Sequence, residues 1–275
     1  MPADEHHSRA LTNAQIRQFI DDGYVRVERA FSPDIAAAAR AILWRDLRCD
    51  PQNPGTWTRP VIRLGGYRDE PFMTAQHSSV LHDAFDQLVG KGRWRRRSDL
   101  GAFVVRFPSA EDPGDDGWHI DVSFPGETGD PNERNDFFSW RANVTSKDRA
   151  LLMLFLFSDV GPLDAPTRIL VGSHHDVAKL LEPEGEAGLS LRELGPAVAG
   201  MAEDRPQVLA TGAAGTVYLC HPFLVHAGQR HHGSSVRFLA QPRLHPAEPL
   251  RLDRTDGDYS PVEIAIRLAL QRGNP

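Results

Sequence analysis

Apolar positions in the first hundred residues recur mostly at helical spacing, and from Ala102 onward they alternate or form short continuous runs. After residue 260 the helical spacing returns. Thr12-Asn13-Ala14-Gln15 is a capping-box pattern, and Ile16, Phe19 and Ile20 follow on one helical face. This helix is predicted to end near Asp22-Gly23, before a short alternating strand from Tyr24 to Val27. Ser32-Pro33 opens a second helix through an Ala-rich segment to about Leu47, with proline at the first helical position. Residues 50–75, rich in Pro, Gly and Arg, read as loop, and Val80 to Val89 reads as a third helix.

The second part of the chain is strand-rich. Ala102 to Phe107 is a predicted strand ended by Pro108, and Ala150 to Phe157, eight apolar residues, is one buried on both faces. Further strands are expected at Thr167 to Val171, Gln207 to Leu209, Thr216 to Cys220 and Val236 to Gln241. Val177 to Leu181 and Ser190 to Leu194 look helical, and Ser260-Pro261-Val262-Glu263 is a second capping-box start for a helix through Leu270. Strands at short intervals with Gly/Pro turns, flanked by helices, predict an all-β jelly roll of the double-stranded β-helix, cupin-like kind with helices packed outside. Residues 1–11 are expected to be a disordered leader and 12–275 a single domain, since no repeat and no linker interrupts the pattern.

Composition narrows the partners. A net charge of −6 excludes the basic face on which non-specific nucleic-acid binding runs. Cys49 and Cys220 are the only cysteines, so no disulfide framework is implied and a reducing, cytoplasmic setting fits. No apolar run reaches membrane-spanning length, and the polar N-terminus lacks the apolar core of a signal peptide. Gly92-Arg93-Trp94-Arg95-Arg96-Arg97 is a basic run with one aromatic, either a clamp for a phosphate or a coenzyme-A tail or a solvated turn, and the turn is the simpler reading.

The candidate chemistry centres on Trp118-His119-Ile120-Asp121-Val122-Ser123-Phe124. In a strand, alternation places His119, Asp121 and Ser123 on one face. With one more imidazole, this pair can occupy one face of an octahedral metal and leave three adjacent positions open, a donor set suited to Fe(II) that must also bind a cosubstrate and O2. A second copy of the motif, His174-His175-Asp176, runs straight into a predicted helix, where Asp176 fits an N-cap better than a ligand. It also leaves few strands before the later histidines.

The third ligand then comes from His221, His226, His231 or His232. His221 precedes Pro222, and His231-His232 lie in a turn beside Gly233. His226 precedes the small pair Ala227-Gly228 and has Arg237 eleven residues on, inside an apolar strand. A guanidinium there must be paired, since a buried unpaired charge is expensive. Its partner is either a structural carboxylate or the distal carboxylate of a dicarboxylate cosubstrate, for which Arg supplies a bidentate fork.

In this order, His119-x-Asp121, His226 and Arg237 resemble the phytanoyl-CoA dioxygenase family of Fe(II)/2-oxoglutarate-dependent dioxygenases. Asn13 to Val27 resembles the family's opening helix and strand. Ala165 to His174 resembles the segment before its Pro-Gly-Ser-His signature, with Val171 in place of the proline. Gly215 to His226 resembles the strand that delivers the distal histidine, although Gln229-Arg230-His231-His232 replaces the Pro-Asn usual after it. The likeness covers about residues 12–243.

The resemblance implies that His119, Asp121 and His226 bind Fe(II), that Arg237 and Thr167 contact 2-oxoglutarate, and that O2 and 2-oxoglutarate are consumed as a small organic molecule is hydroxylated or otherwise oxidised. Succinate and CO2 would be released. The presence of Asp121 argues against the halogenase branch, which lacks this carboxylate. Arg106, Phe124, Trp140, Arg141 and Asn143 are candidates for contact with the substrate. Two other classes account for part of the pattern: a cupin-like isomerase or hydrolase with another metal, and a non-catalytic jelly-roll binding module.

Overall fold

The computed structural model of the protein describes residues 10–126 and 136–272, so nearly all of the expected leader lies outside the described residues. The first helix, α1 (Asn13–Asp22), opens with Thr12 accepting from the Gln15 backbone while the Gln15 side chain returns a bond to Thr12. It closes on Gly23, whose φ of 85° is the left-handed turn glycine adopts without strain. Strand β1 (Tyr24–Val27) follows, then α2 (Pro33–Leu47), capped by Ser32.

Residues 50–75 are not the plain loop that their composition suggests. They contain β2 (Val61–Leu64) and α3 (Glu70–Gln76), which buries Phe72, Ala75 and Gln76. Both elements are too short to show a period and form because tertiary partners exist: β2 pairs with β4 (Phe103–Arg106), and α3 packs on α2. Helix α4 (Ser79–Val89) matches its apolar spacing, and the basic run after it contains a two-residue strand, β3 (Trp94–Arg95).

The remaining strands are β5 (Arg141–Ala142), β6 (Leu151–Leu156), β7 (Arg168–Leu170), β8 (Leu189–Ser190) and β9 (Gln207–Leu209). After these come β10 (Val217–Cys220), β11 (His226–Ala227), β12 (Arg237–Ala240) and β13 (Arg243–Pro246). All pair antiparallel. The larger sheet runs β1-β10-β6-β12-β4-β2, with β13 also paired to β6; the smaller runs β11-β7-β9. This is a jelly-roll arrangement with flanking helices.

Two apolar layers explain why β6 reads as continuously hydrophobic. Leu151, Met153 and Phe155 face the layer shared with the helices, while Leu152, Leu154 and Leu156 face a smaller cluster with Ile169 of β7 and Ala210 beyond β9. The smaller cluster lies between the sheets. Strand β12 alternates in the same way: Phe238 and Ala240 join the outer layer, and Leu239 joins the inner one. Arg237 and Gln241 share the inner face with Leu239, so the strand carries a guanidinium and an amide into the space between the sheets.

Helix α5 (Ser173–Leu181) begins three residues earlier than Asp176, so Asp176 is not an N-cap; it sits in the first turn and pairs with Arg205 at 2.5 Å. Helices α6 (Leu191–Gly200) and α7 (Pro261–Ala269) both start with complete capping boxes, Ser190 with Glu193 and Ser260 with Glu263.

Candidate metal centre

The segment around His119 is extended but is not a regular strand. Only His119 and Phe124 form bridges, to His226 and Arg141. His119 exchanges both bonds with His226 (3.0 and 2.9 Å), and beyond these bridges Arg149 and Arg243 donate to the carbonyls of Val122 (3.2 Å) and Ser123 (3.0 Å). Ile120 and Val122 are fully buried on one side, and His119 and Asp121 project from the other. The exchange with β11 puts the His226 ring beside the His119 ring, with centroids 4.5 Å apart.

One ligand atom from each of His119, Asp121 and His226 lies within 4.8 Å of the others. Both imidazoles are turned the same way. His119 Nδ1 donates to the Gly117 carbonyl (2.8 Å) and His226 Nδ1 to the Leu224 carbonyl (3.1 Å), since a carbonyl can only accept. Each ring therefore keeps a lone pair on Nε2, and that of His226 accepts from the Gln241 amide at 3.0 Å. Burial pushes His226 down to about 4, assisted by the neighbouring His119, so at neutral pH it is the uncharged form that a metal requires.

Asp121 Oδ1 stands 3.8 Å from His226 Nε2, and Oδ2 forms an ion pair with buried Arg149 at 3.0 Å. Burial alone would raise the carboxyl, but Arg149, the two imidazoles and Gln241 outweigh it and hold Asp121 below its ordinary value. Two imidazole lone pairs and an ionised carboxylate thus converge on one point.

Arg237 is 2 % exposed and has no carboxylate partner among the described residues. Its Nη1 donates to the Ala165 carbonyl and its Nη2 to Val104 (3.2 Å), while Nε has no partner. Directly across the β12–β4 register stands Arg106, also buried, whose Nη2 pairs with Asp115 at 2.6 Å and whose Nε and Nη1 are likewise unpartnered. His231 adds a further buried nitrogen without a partner: its Nδ1 accepts from Gly233, leaving Nε2 as the bare donor. Like charges opposite each other in a sheet repel, and burial together with Arg106 pushes the Arg237 guanidinium well below its usual range. Asp115 is shared by Arg106 and Arg63, so Arg237 and the bare nitrogens beside it form a group of donors that matches an anion. The residues present fit a metal bound at the triad, and the bare donors around Arg237 fit an anion.

The other sequence candidates are placed differently. Thr167 is buried, two residues beyond the Ala165 carbonyl that Arg237 holds, and its own carbonyl accepts from Ala210. Phe124 is buried beneath Lys147. Arg141 donates to the carbonyls of Ala187 and Gly188, and Asn143 bonds Glu186 and Lys147, so packing accounts for both. Of the five substrate candidates only Trp140 lines a cavity beside the triad. The basic run is structural: Arg93 pairs with Asp258, Arg95 bonds Ala247, Arg96 bonds His77, and Arg97 pairs with Asp99.

Arg149 and Gln241 touch the triad and were not singled out by sequence. Gln241 had a legible signal, because it lies four residues after Arg237 in one strand and so shares its face. Arg149, at the edge of an apolar run, had none.

No protein-family model and no curated protein sequence matches the chain. Solved structures do resemble it. HygX from Streptomyces hygroscopicus, with nickel, 2-oxoglutarate and hygromycin B bound, aligns at a TM-score of 0.56 and 19% identity over 86% of this chain and 88% of its own. SnoK, a non-heme alpha ketoglutarate dependent carbocyclase from nogalamycin biosynthesis, aligns at 0.58 and 17% over 88% and 94%. EctD from S. alaskensis, with 2-oxoglutarate and 5-hydroxyectoine, aligns at 0.57 and 19% over 90% and 79%. At these identities the likeness establishes the fold.

Proposed function

We propose that this protein is an Fe(II)- and 2-oxoglutarate-dependent oxygenase that hydroxylates, or otherwise oxidises, an unactivated C–H bond of a small organic molecule. The observation that carries the reading is the coexistence, between the two sheets, of a His/Asp/His set whose ligand atoms lie within 4.8 Å of one another and a buried Arg237 with no carboxylate partner among the described residues. Three solved structures of the same fold, each named for or holding 2-oxoglutarate, support it.

In this reading His119 and His226 hold iron through Nε2, and Asp121 through a carboxylate oxygen. The bound metal supplies the oxidation, in which one atom of O2 enters the substrate and the other enters succinate as 2-oxoglutarate loses CO2. The protein's own part is orientation and exclusion of water. Backbone carbonyls fix both ring tautomers, and Arg149 holds the second oxygen of Asp121. Arg237 takes the distal carboxylate of the cosubstrate, with Thr167 beside it, and the leucines of the inner layer keep the interior dry. A carboxylate at position 121 leaves no room for a halide, which favours hydroxylation over halogenation.

The test is anaerobic loading with Fe(II), then calorimetric titration with 2-oxoglutarate, then admission of O2. One iron and one 2-oxoglutarate per chain, with O2-dependent succinate formation that Asp121→Ala abolishes, is the expected result. Protein that takes up neither iron nor 2-oxoglutarate would overturn the reading.

A further inference from the structure

Toward the Gln241 end of β12, away from Arg237, the triad lies behind an open cavity of about 290 Å³. Arg149 and Gln241 form part of its wall, and these are the side chains in contact with Asp121 and His226. Arg97 and Arg243 complete the polar side, and Phe137 and Trp140, with ring centroids 6.4 Å apart, supply an apolar side. The cavity is therefore one side chain away from the metal position.

Its charge is one-sided. Among the described residues, three guanidiniums line it and no carboxylate does. Asp99 and Asp121 answer Arg97 and Arg149 from outside the lining, each at 3.0 Å. Arg243 has no carboxylate partner among the described residues; one of its nitrogens donates to the Ser123 carbonyl. Arg149, 5% exposed, keeps an Nε–H with no acceptor. A buried donor left without an acceptor is unfavourable, so a ligand bringing oxygen acceptors and negative charge is favoured there over a neutral or cationic one.

We propose that this cavity is the substrate pocket and that it selects an anionic small molecule, whose carboxylate or phosphate oxygens accept from Arg243 and Arg149 while an apolar body rests on Phe137 and Trp140. This rests on the oxygenase reading for the reaction that follows, but not for binding itself. The C–H bond to be oxidised would lie on the apolar body, near Gln241.

Matched probes that differ in charge test it: phenylacetate against phenylacetamide, with phenyl phosphate to separate a phosphate preference from a carboxylate one. Each is titrated calorimetrically into the purified protein, with and without Fe(II) and 2-oxoglutarate under anaerobic conditions, and 2-oxoglutarate consumption is then followed in air. We expect an anion to bind about tenfold or more tightly than the amide, Arg243→Gln to reduce that preference to about twofold, and Arg243→Lys to retain most of it. An amide that binds as well as the acid, a preference untouched by Arg243→Gln, or no binding of either anion at millimolar concentration overturns the proposal. Anion-selective binding by protein that takes up neither iron nor 2-oxoglutarate leaves the pocket assignment standing and removes the oxygenase reading instead.

Discussion

Two groups of histidine occur in this fold, His119 with His226 and His174 with His175 and His221, and they differ in which ring nitrogens remain free. In the first, Nδ1 is bonded to a carbonyl two residues back in the same segment, and Nε2 faces shared space, where that of His226 accepts from the Gln241 amide. In the second, His174 and His175 both point Nε2 at the Ile20 carbonyl, and His221 points Nε2 at the Val262 carbonyl while its Nδ1 accepts from Phe223. The second group bonds α5 and the end of β10 to α1 and α7. Both stretches of sequence contain His-x-Asp, and His174, like His119, keeps one ring nitrogen without a partner among the described residues; what separates the two sets is the carboxylate, since Asp121 shares space with His119 and His226 whereas Asp176 is paired with Arg205.

Removing ligands should produce the largest effect. His119→Ala and Asp121→Ala are expected to lower Fe(II) affinity by more than about 100-fold, beyond what loss of an outer partner costs; His119→Ala should leave the melting temperature of metal-free protein little changed, whereas Asp121→Ala also lowers it because buried Arg149 loses its partner. His174→Gln should do the reverse, lowering the melting temperature and leaving Fe(II) affinity unchanged. Equal effects of the two substitutions on metal titration would erase the distinction.

Next in size is Arg237→Met, which keeps volume but removes a cation opposite Arg106. The 2-oxoglutarate requirement should rise about 10- to 100-fold, while the unliganded protein melts no lower, because an uncompensated buried charge has gone. Loss of stability with unchanged cosubstrate affinity would return Arg237 to a purely structural role.

Acid should act through the second group and, in metal-free protein, through His226 as well, since burial also pushes it down to about 4. Burial pushes His221 down to about 3 and His174 well below its ordinary value, so both are neutral in the folded chain at pH values where the unfolded chain binds protons. Folded values lie below unfolded ones, hence stability is complete above the unfolded value of about 6.5 and declines as pH falls below it. The slope approaches about 1.4 kcal/mol per pH unit per histidine. Denaturant midpoints between pH 7 and 5 measure it, and His221→Asn should flatten the curve.

The smallest expected change is at Gly228, two residues after His226. A Cβ there would meet Arg106 Nη2 at 2.3 Å and the Asp115 carbonyl at 2.9 Å. Gly228→Ala should displace Arg106 at a cost of about 1 kcal/mol, read as a roughly fivefold weaker 2-oxoglutarate titration with the iron titration unchanged.

Much of this arrangement could be read from the chain, unevenly. Long periodic elements such as Asn13–Asp22, Leu151–Leu156 and Pro261–Ala269 fall where spacing and capping residues put them, because each has enough turns or pairs for its pattern to exceed chance. Val61–Leu64, Trp94–Arg95 and His226–Ala227 are two to four residues long and exist only through pairing, so no local signal announced them. His119 and Asp121 were legible through alternation even though their segment forms no ladder, since extended backbone alternates with or without one. Arg149 was not, because its meeting with Asp121 depends on long-range packing. Arg106 was noticed, yet its position opposite Arg237 is a matter of register, which single-strand patterns do not contain.

The facing guanidiniums of β4 and β12 have a consequence for the life of the protein. Two neighbouring strands held side by side against mutual repulsion are the natural place for the empty jelly roll to open, and a bound dianion would close that seam in proportion to its concentration. Amide exchange along Phe103–Arg106 and Arg237–Ala240 should slow as the keto acid is added, and in a cell starved of it the unfilled protein would be the form that proteases meet first.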